Sequence, residues 1–171
     1  DLHLTWFLLI GILFAGYAIL DGFDLGVGAL HLFTDTDEER RLFINSIGPV
    51  WDGNEVWLVT AGGALFAAFP NVYATLASGL YLAVFLLLFS LIFRAIAIEF
   101  RSKLPYVWWR KLWDISFSLS SILTTFLFGI VLGNLVWGLP IDADGEYTGS
   151  FGTLIHPYSL LTGVTLVALF M

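Results

Sequence analysis

The sequence contains no cysteine, a single methionine and few charged residues among its 171 residues. The absence of cysteine excludes disulfide bonds, thiolate metal sites and thiol chemistry within the chain. Charged residues make up 12% of the sequence, about half of the roughly 25% that is typical of soluble domains. Hydrophobic residues reach 58% and the mean hydropathy is +0.88, a balance that indicates a polytopic membrane protein. The net charge of −7, with no basic patch outside the membrane flanks, indicates no nucleic-acid partner.

Common catalytic and cofactor signatures are also missing. The sequence has no P-loop, no HExxH and no GxSxG motif. Its histidines, His3, His31 and His156, lie at the ends of apolar runs, where we expect each to be solvated. A transmembrane b-type haem needs His or Met ligands that face a bundle interior. We therefore expect no haem held by this chain alone, and we assign it no catalytic, cofactor-binding or metal-binding residue.

Long apolar runs predict an all-α, polytopic transmembrane helix bundle. A helix needs about 20 mostly apolar residues to cross a membrane. Four runs meet this length, at about residues 4–30, 50–69, 72–98 and 115–137, and a fifth begins near Tyr158. We therefore predict four full spans plus the start of a fifth, with a tight turn, PNVYA, between the second and the third.

The ends of the sequence bear on its domain organisation. It does not begin with methionine, and it stops inside the fifth apolar run. The opening run lacks the basic segment of a cleavable signal peptide. We therefore expect the N-terminal portion of a longer chain, with a first four-helix transmembrane bundle at 1–138, an outer loop at 139–157 and a truncated second bundle beginning at 158–171.

Basic residues predict the orientation in the membrane. All seven lie at or near two connections, between spans one and two and between spans three and four: Arg40, Arg41, Arg94, Arg101, Lys103, Arg110 and Lys111. The opposite connections contain no lysine or arginine. Because cytoplasmic loops carry the excess of Lys and Arg, the N-terminus is predicted to lie outside.

Two acidic pairs occur within the first two spans. Asp21 and Asp24, and then Asp52 and Glu55, are each three residues apart, which places both members near one helix face. A carboxylate at mid-bilayer costs roughly 2.5–3.5 kcal/mol on insertion scales, so these acids should face protein, water or a partner charge. Arg94 is the candidate counter-charge. By the predicted topology both pairs lie toward the cytoplasmic end.

These acids have two interpretations. In the structural one they pair with Arg94 or cap helices, and capping suits Asp52 at the start of the second span. In the functional one they form a proton or cation path, because like charges held close together favour keeping one proton bound. Glu99 and Asp114 lie further out, where we expect them to be solvated. The pairs Gly22/Gly26 and Gly129/Gly133 predict close helix packing in lipid.

Three segments carry a resemblance to a known family: DGFDLGVG, RRLFINSIGPVWDGNEVWLVTAGGALFAAFP and SLIFRAIAIEFRSK. Together they resemble the N-terminal half of subunit II of the cytochrome bd-type quinol oxidases, including the cyanide-insensitive branch. The resemblance implies a respiratory complex of the prokaryotic cytoplasmic membrane that oxidises quinol and reduces dioxygen to water with cytoplasmic protons. It also implies two b-type haems and one d-type haem in subunit I, contact with lipid and quinone, and a possible small single-span subunit.

The resemblance extends to individual residues. The DGFD motif matches at Asp21 and Asp24, and the WDGN motif at Trp51, Asp52, Gly53 and Asn54. In the family the acid of the second motif is associated with a cytoplasmic proton route. Some members carry His where this chain has Val50, and Glu55 is the candidate replacement. The resemblance further implies that Trp57 borders an oxygen route, although packing is the commoner role of such a tryptophan.

The leading hypothesis is therefore a haem-free accessory subunit that supports assembly and proton uptake. Asp24 and Asp52 are placed on the proton route with Asp21 and Glu55 beside them, and the supporting residues are Asn54, Arg94, Trp51 and Trp57. The alternative is a secondary transporter or cation-channel subunit with acidic ion-coupling sites. Transporters often have helices broken at the midplane, whereas here the acids are off-centre and no Gly or Pro break is expected in span three. A structural scaffold is the third possibility.

Overall fold

The computed structural model describes residues 1–171 as seven α-helices without any β-strand. Because backbone groups within a bilayer must be satisfied inside the protein, a helical chain is what the composition requires. The helices are α1 (Leu2–Leu30), α2 (Asp37–Ile47), α3 (Trp51–Ala68), α4 (Pro70–Gly79), α5 (Tyr81–Phe100), α6 (Val107–Trp137) and α7 (Pro157–Phe170). Short 3-10 turns follow α1 at His31–Phe33 and precede α7 at Phe151–Leu154.

Three helices are long and apolar enough to cross a membrane: α1 with its following 3-10 turn, α5 and α6. The predicted all-α transmembrane fold is therefore confirmed. The other two predicted runs, 50–69 and the one that begins near Tyr158, correspond to α3 and α7. Helix α3 is less apolar than the three long helices, and α7 is shorter. The start of α3 carries three polar side chains, Asp52, Asn54 and Glu55, which lower its hydropathy. Helix α7 has only 14 residues.

The predicted third span, 72–98, is two helices rather than one. Helix α4 ends at Gly79, a residue that helix interiors disfavour. A side chain at Gly79 would also collide with the ring of Tyr147 from the outer loop. The expectation of an unbroken span is therefore wrong. The tight turn predicted at 70–74 is wrong as well, because Pro70 begins α4 at a position that favours proline.

Helix α6 is central, since α1, α5 and α7 all pack against it, and α3 packs mainly against α1. The predicted role of the glycine pairs in helix packing is confirmed. A side chain at Gly129 would collide with the backbone of Gly163 in α7, and one at Gly26 would collide with the carbonyl of Phe170. Thr162 donates a hydrogen bond to the carbonyl of Gly129 at 2.8 Å, so α6 and α7 approach closely enough for side chain to backbone bonding.

Helix α2 was not foreseen in the sequence. It has 11 residues and lies between α1 and α3 along the chain, at the basic end of the bundle. The Thr36 hydroxyl accepts a hydrogen bond from the Glu39 amide at 3.2 Å, and the Glu39 carboxylate accepts one from the Thr36 amide at 3.1 Å. This capping box fixes the start of the helix.

Candidate functional site

A buried ionic cluster joins α1, α3 and α5. Arg94 donates two hydrogen bonds to Asp21, from Nη1 to Oδ2 at 3.1 Å and from Nη2 to Oδ1 at 2.6 Å. Its Nη2 also donates to Oε1 of Glu55 at 2.6 Å. The side chains of Arg94 and Asp21 are fully buried, and that of Glu55 is 23% exposed. Paired bonds of this kind are strong and orient both groups, and one cation here faces two carboxylates.

Asp24 follows on the same face of α1 without a cation of its own. Its Oδ2 accepts a hydrogen bond from Nδ2 of Asn54 at 2.8 Å. Its Oδ1 is buried and has no hydrogen-bond partner within the chain. Burying a polar atom without a partner is costly. The geometry therefore leaves one oxygen of Asp24 available to carry a proton or to accept a further hydrogen bond.

Asp52 stands apart from the other three acids. It lies in the first turn of α3 and is exposed, and its side chain makes no hydrogen bond within the chain. The N-cap of α3 is Val50, and no side chain caps it, so the interpretation of Asp52 as a capping residue is wrong. The structure thus brings Asp21 and Glu55 together around Arg94, with Asp24 and Asn54 adjoining. Trp51 packs at the edge of a small apolar core formed by Ile47, Ala97 and Phe117.

Two aromatic residues lie beside the cluster. Tyr17 is buried on α1 one turn before Asp21, and its hydroxyl has no partner within the chain. Its ring contacts that of Phe128, with centroids 5.2 Å apart. The four-residue spacing of Tyr17 and Asp21 was a signal in the sequence that the prediction missed. Trp57 lies against Gly16, where a side chain would collide with the indole, so Trp57 packs α3 onto α1.

A second ionic cluster occupies the basic end of the bundle. Asp114 accepts hydrogen bonds from Nε and Nη2 of Arg101 and, at 3.4 Å, from Nη1 of Arg40. Its Oδ1 is also hydrogen-bonded to Nε2 of His31 at 2.6 Å. Arg101 further donates to Asp37 at 2.6 Å. The two basic connections predicted to share one side of the membrane therefore meet at a single carboxylate.

Two predictions about this region are wrong. His31 and Asp114 were expected to be solvated, but their side chains are 0% and 1% exposed. Both can be buried because each supplies a partner to the other, and Asp114 is further neutralised by arginine. The same expectation is confirmed for Glu99, which is exposed.

Two carboxylates of α2, those of Asp37 and Glu39, lie outside the spans and are held ionised. Partial burial of Asp37 favours its neutral form, but the hydrogen bond and charge of Arg101, with the charge of Arg110, outweigh it and lower its pKa. The backbone amides of Thr36 and Asp35 and the Thr36 hydroxyl lower the pKa of Glu39. Both groups therefore favour the folded state more when they are ionised.

The histidines do not fit a haem held within this chain. His31 is engaged at Nε2 by Asp114. His156 caps α7 through Nδ1, which accepts from the Ser159 amide at 3.3 Å, and its ring lies beside Trp137. His3 is exposed at the start of α1. These three imidazoles belong to separate local structures and provide no facing pair of axial ligands.

Comparison with known proteins gives the family. The family described as "Cytochrome bd terminal oxidase subunit II" matches residues 2–171. The chain is 47% identical over 173 residues to "Cytochrome bd-I ubiquinol oxidase subunit 2" of Escherichia coli K12, covering 98% of the chain and 46% of that relative. It is 46% identical over 170 residues to "Cytochrome bd ubiquinol oxidase subunit 2" of Bacillus subtilis 168, covering 99% of the chain and 50% of the relative.

A third relative is the "Probable cytochrome oxidase subunit 2" of Haemophilus influenzae, 43% identical over 168 residues, with coverage of 95% of the chain and 44% of the relative. The chain therefore spans about half the length of the curated relatives that it matches. The family and the long apolar helices together confirm the prediction that the chain is a multi-pass protein of a prokaryotic cytoplasmic membrane. The chain belongs to the family of cytochrome bd terminal oxidase subunit II.

Proposed function

We propose that this chain forms the first part of a haem-free accessory subunit in a respiratory bd-type quinol oxidase. The complex oxidises quinol and passes its electrons to dioxygen, which takes up four protons and four electrons to give two waters. In this proposal the chain supports assembly and delivers protons from the cytoplasm. Family membership over residues 2–171 and relatives named as ubiquinol oxidase subunits support it.

The rest of the complex supplies what this chain lacks. Subunit I is the proposed partner, and it holds the two b-type haems and the d-type haem that carry electrons to dioxygen. Lipid and quinone surround the assembly, and a small single-span subunit completes it. The misfit between the histidines and a haem supports placing all three haems outside this chain. No step of dioxygen reduction is assigned to a residue of this chain.

The proposed topology keeps four spans and the start of a fifth. The first bundle covers 1–138, the outer loop 139–157 and the start of the second bundle 158–171, with the N-terminus outside. The positive-inside rule supports this orientation, since both basic connections meet at Asp114. Helix α3 completes the first bundle because its apolar second half follows the acids, and its polar start lies next to Arg94.

The observation that carries the relay proposal is the buried, unpartnered oxygen of Asp24, which lies beside the acids that Arg94 holds. Arg94 fixes Asp21 and Glu55, and these two carboxylates hold the site together rather than exchange protons. Asp24 has an unpartnered buried oxygen beside Asn54 and is the proposed carrier. Asp52, exposed at the start of α3, is the proposed entry point for protons from the cytoplasm. Trp51 and Trp57 position α3 and take no part in transfer.

Oxygen consumption by the complete oxidase tests this proposal. Asp24→Asn and Asp52→Asn keep the shape of each side chain but cannot carry the proton. Each should lower turnover by about 10²-fold or more, the range of positioned proton-transfer groups, while haem content stays unchanged. Glu99→Gln is the matched control, because Glu99 is an exposed acid of α5 at the same end of the bundle. Unchanged turnover in both relay variants would remove the proposal, and loss of haem or of subunit I would assign the acids to assembly.

The position of the broken helix does not support a secondary transporter or cation-channel subunit. The break between α4 and α5 is a transporter-like feature. It lies at Gly79, however, and Arg94 is 15 residues further along the chain, roughly 20 Å at the rise of an α-helix. The broken backbone therefore does not contribute to the acidic site, as it does in transporters.

A further inference from the structure

The turn between α5 and α6 borders a cavity with an excess of positive charge. The cavity has a volume of about 200 Å³ and is lined by Asp37, Arg40, Val107, Arg110, Lys111 and Asp114. Both carboxylates are already engaged by cations, Asp37 by Arg101 and Arg110, and Asp114 mainly by Arg101. Lys111 forms no ion pair within the chain. With Arg101 included, cationic side chains outnumber carboxylates four to two at this site.

The start of α6 adds to the positive potential of the cavity. Val107, the first residue of α6, is one of the lining residues. The N-cap is Tyr106, no side chain caps the helix, and no acidic residue occurs in its first turn. The first amide groups of a helix lack partners inside it and carry a partial positive charge. An anion placed here would therefore meet both basic side chains and a 31-residue helix terminus.

An apolar surface adjoins the charged cavity. The same turn exposes Tyr106 by 55%, Val107 by 82% and Trp108 by 62%. Because α5 and α6 are both of membrane-spanning length, the turn between them lies at a membrane surface. Tryptophan and tyrosine are favoured at that depth, with the ring against acyl chains. A ligand of the site would thus contact a basic cavity with one end and an apolar surface with the other.

We propose that this cavity binds the phosphate group of an anionic phospholipid, whose acyl chains lie over Val107 and Trp108. Basic side chains at the end of a transmembrane helix and on an adjoining amphipathic helix are suited to such headgroups. Free phosphate would share the interaction with the arginines and Lys111 but gain nothing from the apolar surface. The site lies on elements other than those that hold Asp24, and it stands whether or not the relay proposal is right.

Lipid binding to the complete oxidase tests the assignment. Delipidated complex is titrated with phosphatidylglycerol or phosphatidylcholine in detergent, and bound lipid is counted by native mass spectrometry. The wild-type complex should prefer phosphatidylglycerol. Each basic side chain near a membrane surface contributes about fivefold in affinity, so Lys111→Gln should weaken binding about fivefold and Lys111→Gln with Arg110→Gln about 25-fold. Lys111→Arg should retain wild-type affinity.

The control pair is Arg41→Gln with Lys103→Gln, since both side chains are exposed, basic and outside the cavity. This pair should leave phosphatidylglycerol affinity unchanged, and inorganic phosphate at the lipid concentration should not displace the lipid. Equal affinity in the cavity variants and the wild type would overturn the proposal, as would an equal loss in the control pair. Displacement by inorganic phosphate would overturn the lipid assignment in favour of a free anion. Unchanged haem absorbance and elution volume verify that each variant is folded.

Discussion

Replacing Arg94 with leucine would leave two carboxylates without the cation that they share. Asp21 is fully buried and receives two hydrogen bonds from the guanidinium, whereas Glu55 keeps 23% of its side chain exposed and can turn toward water. Most of the cost therefore falls on Asp21. Removing one partner of a buried ion pair costs about 3–5 kcal/mol, and we expect Arg94→Leu to lower the free energy of unfolding by that amount.

A double variant separates this cost from a simple loss of packing. With Asp21→Leu added to Arg94→Leu, no uncompensated charge is buried, and the double variant should be more stable than the single one by about 2 kcal/mol or more. Denaturant titration of the complete complex in mixed micelles measures the free energy of unfolding of the single and the double variant. Lys103→Leu, an exposed base without an ion pair, should stay within about 0.5 kcal/mol of the wild type. A single variant as stable as that control, or a double variant less stable than the single one, would refute the reasoning.

Three further predictions concern packing and charge. Gly129→Leu forces a side chain into the backbone of α7 and should cost about 1–3 kcal/mol of unfolding free energy, whereas Gly11→Leu should cost little because no atom lies near that position. His31→Asn should cost about 1–3 kcal/mol, since Asp114 then loses a buried partner, and the same unfolding titration measures it. Glu39→Gln should reduce amide-exchange protection of α2 at neutral pH. Because the pKa of Glu39 is lowered from 4.5 in the folded state, the difference from wild type should be complete above that value and vanish as the pH falls through the folded pKa.

The long helices could be predicted because hydropathy and length alone specify them. Helices α1, α5 and α6 follow from apolar runs that no other structure could bury in lipid. The division between α4 and α5 could not be predicted, because a single glycine does not determine where a helix ends, and the packing of Tyr147 beside Gly79 is a contact with the distant outer loop. Helix α2 was missed because a short amphipathic helix at a membrane surface lacks a long apolar run.

The pairing of the acids in the first two spans could also be predicted only in part. An intramembrane carboxylate needs a partner, and Arg94 was the only basic residue of the predicted spans, so its pairing with Asp21 follows from the sequence. Which acid would be left over does not follow, because it depends on side-chain direction. Asp24 accepts a hydrogen bond from the side-chain amide of Asn54, whereas the exposed side chain of Asp52 is bonded neither to Arg94 nor to the other three acids. The burial of His31 and Asp114 does not follow from the sequence either. Sequence position gives the depth along a helix, but it does not give the arginine neighbours that α2 and the end of α5 provide.

Proton uptake by the fully reduced complex tests the central claim most directly. The complete oxidase, reconstituted in vesicles with a pH indicator on the cytoplasmic face, is mixed with dioxygen, and proton uptake is timed against haem oxidation. We predict that Asp24→Asn slows proton uptake while the first electron transfer to dioxygen keeps its wild-type rate. Proton uptake in Asp24→Asn at the wild-type rate, with full haem content, would contradict the account.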